Sequence, residues 1–220
     1  MQAFQSQFIE LAVQVQALKF GQFKLKSGRT SPYFFNAGLF NSGTSLNLLG
    51  QCFADKIQSM GIKYDMLFGP AYKGIPLVAA TAIALDDKHQ RDIPYAFNRK
   101  ETKAHGEGGS IVGSKLQGKI LILDDVITAG TAIRESLTLI EKTKGAEVAG
   151  VVVGLDRQEI GPNGYSAIKE LTKERDISVD AIVQLDDLIE YLVKQDAKLR
   201  AGSHQDLLDS LYAYRNEFGA

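Results

Sequence analysis

Apolar residues recur along this chain at two spacings, and the switch between them marks the elements. Phe4, Phe8, Leu11, Val15 and Leu18 fall on one face of an amphipathic helix. Segments 20–26 and 33–36 read as short strands around Ser27-Gly28-Arg29-Thr30, and 45–60 predicts a helix closed by Gly61. Then a strand–helix rhythm begins. Met66-Leu67-Phe68 is a buried strand, Gly69-Pro70-Ala71-Tyr72-Lys73-Gly74 a loop, 75–85 an Ala-rich helix and 94–97 a strand. Ile120-Leu121-Ile122-Leu123 has no polar face, so it predicts a strand buried on both sides. A helix at 132–144, strands at 148–155 and 179–184, and helices at 186–194 and 203–217 complete the pattern. This is an α/β chain: a parallel central sheet flanked by helices on both faces. Residues 1–60 lack the rhythm and predict an N-terminal hood on a core of residues 61–220, in one compact unit with the C-terminal helices packing on the hood.

The polar clusters are placed systematically. Tyr72-Lys73, Arg99-Lys100, Asp124-Asp125 and Asp156-Arg157 all fall at the carboxyl ends of predicted strands, the rim where open α/β sheets bind ligands. Segment 101–109 carries Lys103, His105 and three glycines; it is too polar for a core and reads as a mobile surface loop. After the buried strand come Asp124 and Asp125, then Val126-Ile127-Thr128-Ala129-Gly130-Thr131-Ala132 entering a helix. Small residues before a helix N-terminus make an anion site, because the first amides are unpaired and the helix dipole favours negative charge. Two carboxylates would repel a phosphate there unless they serve another purpose, such as gripping sugar hydroxyls. The plainer reading is a turn in which Asp125 or Thr128 caps the helix.

Composition narrows the classes. Hydrophobic content of 45% with 23% charged residues is that of a soluble globular protein. A net charge of −1 argues against general nucleic-acid binding, which rests on a basic excess. The single cysteine, Cys52, falls in a helical pattern as a small buried hydrophobe, which fits a reducing compartment. The start lacks an early Lys or Arg and carries Glu10 within its apolar pattern, unlike a signal peptide. No apolar run reaches membrane-spanning length, so the expected location is cytoplasmic. Gly113–Lys119 spells G-x-x-x-x-G-K, but Ile120 stands where a P-loop needs Ser or Thr, and the segment enters a strand; it reads as a turn.

The strand, acid pair and Thr-Ala-Gly-Thr loop resemble the phosphoribosyl-diphosphate (PRPP) motif of the type I phosphoribosyltransferases. Lys26-Ser27-Gly28, Ser31-Pro32-Tyr33-Phe34-Phe35, the 69–74 loop, Asn98-Arg99-Lys100, 103–109 and Leu155-Asp156-Arg157-Gln158-Glu159 resemble, in order and spacing, the orotate phosphoribosyltransferase branch of that family. The resemblance implies the type I phosphoribosyltransferase fold and transfer of phosphoribose from PRPP to orotate. It implies PRPP binding by Tyr72, Lys73, Arg99, Lys100, Lys103, His105, Asp124, Asp125, Val126, Ile127, Thr128, Ala129, Gly130, Thr131 and Ala132. It assigns orotate to Lys26, Phe34, Phe35, Thr128 and Arg157, and catalysis to Lys103, Asp124 and Asp125. Mg²⁺ is expected as a PRPP complex without firm direct protein ligands. A homodimer is implied, with the 99–109 loop reaching the neighbouring active site; neither nucleic acid nor membrane is an expected partner. Residue types alone leave surface roles open for Lys26, Phe34 and Phe35, and an Arg157 salt bridge to Asp156 or Glu159. A PRPP-sensing regulator and an enzyme for another base stay as alternatives.

Overall fold

The computed structural model describes residues 1–25, 27–100, 110–127, 130–161, 163–199 and 204–220. A first helix, α1 (Ala3–Gln14), leads into a hairpin of β1 (Leu18–Lys24) and β2 (Thr30–Phe35), which forms its own two-stranded antiparallel sheet. Helix α2 (Gly43–Met60) starts at Ser42, whose hydroxyl accepts from the Ser45 amide at 3.2 Å, and stops at Gly61 in the left-handed conformation. Then follow β3 (Met66–Gly69), α3 (Gly74–His89), β4 (Tyr95–Asn98), β5 (Ile111–Gly113), β6 (Gly118–Ile127), α4 (Thr131–Glu141), β7 (Ala146–Asp156), α5 (Ala167–Arg175), β8 (Ser178–Gln184), α6 (Leu185–Leu199) and α7 (Gln205–Phe218).

The main sheet has the order β5-β4-β3-β6-β7-β8 and is parallel except at one edge, where β5 pairs antiparallel with β4. The parallel central sheet expected from the pattern is present; the antiparallel edge strand β5 is an addition, too short to carry a pattern of its own. Gly113 ends β5 and Gly118 opens β6, so the G-x-x-x-x-G-K string is the connection between two strands.

Alternation along β6 splits the core into two layers. Leu121 and Leu123 face a cluster shared with Phe8, Phe35, Leu49, Phe53, Leu77 and Leu211, drawn from the helices and hairpin of one side. Ile120 and Ile122 face the other layer, against Ile133, Leu137 and Leu171 of α4 and α5. The hairpin and the C-terminal helices therefore share one continuous apolar cluster with the sheet. Cys52 is fully buried within it. Where α2 crosses α3, a Cβ at Gly50 would lie 2.5 Å from the Ala80 carbonyl oxygen, so only glycine allows this approach.

The strand order decides where a ligand fits. From β3 the chain moves outward to β4, whereas β6 lies on the opposite side of β3. At this switch point a crevice opens between the segment after β3 and the start of α4.

Candidate active site

Strand β6 runs through both acids and ends at Ile127, so Asp124 and Asp125 stand within the ladder rather than after it. They are 8% and 7% exposed. Pleating sends neighbouring side chains to opposite faces, yet the pair remains electrically coupled. Burial pushes the Asp124 carboxyl up to about 7, and the adjacent Asp125 charge pushes the same way. Asp124 Oδ1 accepts from the Asp125 amide at 2.8 Å. Lys73, from the loop after β3, donates to Asp125 Oδ2 at 2.7 Å while its side chain is half exposed.

That loop is held from below. A Cβ on Gly69 would collide with the Gly74 carbonyl, and one on Gly74 would lie 2.7 Å from Pro70 Cδ. The Asn98 side chain, at the end of β4, accepts from the Ala71 amide at 2.7 Å. Lys100 Nζ sits 5.2 Å from the Tyr72 ring centroid, which joins the two cationic rim segments. Arg99 is fixed through its amide to the Ser110 carbonyl at 2.7 Å.

Across the crevice, Gly130 takes a left-handed φ of 69° and turns the chain into α4. Among the described residues no side chain caps that helix, and no acid lies in its first turn. Helices α2 and α5, by contrast, are capped by Ser42 and Ser166. Thr131 and Ala132 are exposed at the start of this helix, where the first-turn amides and the positive end of the dipole favour an anion. Pro70–Lys73, Asp124–Val126 and Gly130–Ile133 line a cleft of about 310 Å³.

The hood supplies a second group. Phe34 and Phe35 are neighbours on β2 and point to opposite sides. Phe34 is 41% exposed and packs on Phe23 at 5.6 Å, whereas Phe35 is buried against Phe8 and Phe40. The two rings therefore cannot both face one ligand; Phe34 is the outward one. Arg157 follows β7, whose Asp156 pairs with Ile127 of β6, so it stands on the same rim as the acids. It is 5% exposed and its Nε donates to Glu159 Oε1 at 2.5 Å, the ion pair that residue types had left open. Its Nη2 donates to Ser31 Oγ at 2.9 Å, so Arg157 also ties the hairpin to the rim.

Residues 39–187 match the family model described as phosphoribosyl transferase domain. Over 219 residues the chain is 56% identical to the orotate phosphoribosyltransferase of Enterobacter sp. (strain 638), with 100% of both chains covered. It is 54% identical to that of Vibrio cholerae serotype O1, again over 100% of both. The crystal structure of orotate phosphoribosyltransferase from Francisella tularensis is 44% identical with a TM-score of 0.85, covering 97% of this chain and 99% of that one. This chain belongs to the orotate phosphoribosyltransferases.

Membership in this family gives each cluster a context. Lys26, Lys103, His105, Thr128 and Ala129, which the resemblance marked, lie outside the described residues. In the sequence Asn98 is one residue of a motif string beside Arg99; its support of the loop after β3 emerges only from tertiary structure. Around Arg157, residue types offer Glu159 as a partner, whereas the contacts with Ser31 and Tyr214 emerge only from tertiary structure. For Mg²⁺, the fit rests on the acid pair: Asp124 and Asp125 are buried carboxyl groups beside the cleft, hard oxygen donors of which only Asp125 is paired with the Lys73 ammonium. Among the described residues, no group of three or more His, Cys, Asp or Glu is arranged to hold a metal.

Proposed function

We propose that this chain transfers the phosphoribosyl group of PRPP to orotate, giving orotidine 5′-monophosphate and diphosphate in pyrimidine nucleotide synthesis. The observation that carries the reading is the buried Asp124–Asp125 pair between the start of α4, which no described side chain caps, and the Lys73 loop. Segment 126–132 takes the ribose 5′-phosphate on the helix N-terminus. Asp124 and Asp125 grip the ribose hydroxyls, and their charge favours the cationic character that develops on the ring as diphosphate leaves. Tyr72, Lys73, Arg99, Lys100, Lys103 and His105 serve the diphosphate. Lys73 then exchanges its Asp125 partner for phosphate oxygens, which frees that carboxylate for the sugar. Lys103 acts on the transition state by arriving with its loop.

Orotate is held by Lys26, Phe34, Phe35, Thr128 and Arg157. Phe34 offers a ring, Phe35 its backbone, and Arg157 its fork to the carboxylate. When bound with PRPP, Mg²⁺ would supply charge neutralisation on the diphosphate; it would be carried by substrate oxygens and water, with Asp124 and Asp125 the groups of this chain that would face it through water. The base nitrogen attacks the anomeric carbon, so no protein nucleophile is required.

The reading extends to a homodimer whose 99–109 loop reaches the neighbouring active site, and to the cytoplasm. The resemblance supports the first. No described helix is long and apolar enough to cross a membrane. The test is loss of orotate absorbance when PRPP and Mg²⁺ are added to the purified protein, with adenine, guanine, hypoxanthine and uracil in parallel. Consumption of orotate alone is expected. PRPP binding without turnover of any base would favour a PRPP sensor.

A further inference from the structure

We propose that Tyr214 of the C-terminal helix, together with Ser31 and Glu159, is a clamp that positions Arg157 for the carboxylate of the base, so that α7 sets orotate affinity from outside the PRPP cleft. The inference rests on the reading of Arg157 as the carboxylate partner. A guanidinium on a long flexible stem is an effective fork only when its plane is held, and here it is held from several directions. Nε donates to Glu159 Oε1 at 2.5 Å; Nη2 donates to Ser31 Oγ at 2.9 Å and to the Tyr214 hydroxyl at 3.3 Å. Its Cζ lies 4.3 Å from the centroid of the buried Tyr33 ring. Among the described residues Nη1 donates to no protein atom, which leaves its two protons for an incoming ligand.

The proton directions agree throughout. The Tyr214 hydroxyl donates to Glu159 Oε1 at 2.6 Å, so its oxygen is left to accept from Arg157. The Ser31 hydroxyl donates to the Tyr33 carbonyl at 2.7 Å, so its oxygen also faces Arg157 as an acceptor. Glu159 Oε2 lies 3.4 Å from Arg29, so its charge is divided between two guanidinium groups and neutralises neither fully. The chain end closes the arrangement. The Phe218 ring packs on Tyr214 at 5.0 Å, the Ile160 amide donates to the Phe218 carbonyl at 2.7 Å, and the Ala220 amide donates to the Gln158 carbonyl at 2.9 Å.

Position in the family points the same way. The matched phosphoribosyl transferase domain spans residues 39–187 and contains the PRPP motif and Arg157. Ser31, Tyr33 and Tyr214 all lie beyond it. Helix α7 contributes no residue to the cleft beside Asp125. A clamp that draws Ser31 and Tyr214 from outside the shared domain, with Glu159 inside it, suits the base rather than the sugar phosphate.

The experiment compares kcat and the KM values for orotate and PRPP in wild type, Arg157→Ala, Tyr214→Phe, Ser31→Ala and the Arg157→Ala/Tyr214→Phe double variant. Arg157→Ala should raise the orotate KM about 100-fold, as expected for losing a paired charged contact. Tyr214→Phe and Ser31→Ala should each raise it about tenfold, with kcat and the PRPP KM within about twofold. In the Arg157→Ala background, Tyr214→Phe should add nothing further. An unchanged orotate KM in Arg157→Ala overturns the carboxylate reading and the clamp with it. A shift in Arg157→Ala with none in Tyr214→Phe or Ser31→Ala overturns the clamp alone. So does a Tyr214→Phe penalty of equal size in both backgrounds, or one spread equally over kcat and the PRPP KM, because a general packing defect would produce either.

Discussion

Asp124→Asn isolates what it costs the fold to hold a second carboxylate beside Asp125. Asp124 titrates near 7 in the folded chain against 3.8 for the free side chain. Between those values the native state keeps a proton that the unfolded chain has lost. Stability therefore falls as pH rises through this window, and the full cost is present above about pH 7. Roughly three factors of ten in proton affinity correspond to about 4 kcal/mol, which is a ceiling. Asparagine preserves the side-chain volume and the acceptor for the 2.8 Å bond from the Asp125 amide. It also brings an amide NH₂ that must find a partner in a buried place, which returns part of the gain, so the expected stabilisation at pH 8 is about 1–3 kcal/mol. The assay is urea unfolding of both proteins at pH 4, 6 and 8, at one fixed protein concentration in case of association. The curves should nearly coincide near pH 4 and separate above pH 6, with the variant more stable and turnover strongly reduced. A variant less stable at pH 8, or an offset of the same size at every pH, would refute the reasoning.

Lys103→Ala should lower kcat by about 100-fold or more while PRPP affinity changes by less than about threefold, measured by steady-state kinetics and direct PRPP titration. A pure affinity loss would remove the transition-state role. Phe34→Ala should cost less than about 1 kcal/mol of stability, whereas Phe35→Ala should cost about 3–5 kcal/mol, because only Phe35 is buried. Orotate KM should respond to Phe34→Ala without unfolding, and equal stability losses in the two variants would contradict the opposite facings. Gly69→Ala should destabilise by at least about 2 kcal/mol, since its Cβ meets the Gly74 carbonyl and nothing flexible can yield. The kcat/KM for PRPP should drop with it, because the Lys73 loop must shift; a fully active Gly69→Ala enzyme would show that this tight turn is dispensable.

Local sequence determined the elements whose periodicity is strong. The apolar run of β6 needs both faces covered, so it had to be a central strand, and the alternation around it left few topologies. The Asp-Asp and Thr-Ala-Gly-Thr string is contiguous, and its chemistry depends on neighbours along the chain, so it was legible without coordinates. Helix α5 was not: only Ala167 and Leu171 are buried in it, too little apolar surface to set a period. Strand β5 is three residues at an edge, where pairing rather than pattern makes the strand. Tertiary structure alone decided which partners meet across the fold. Lys73 and Asp125 are 52 residues apart, Arg157 and Ser31 126 apart, and Arg157 and Tyr214 57 apart. Such pairs follow from strand order and from the docking of α7 on the hairpin. A single side chain carries no record of what a distant segment will bring against it, and that is why the acid pair could be read from the chain while the surroundings of Arg157 could not.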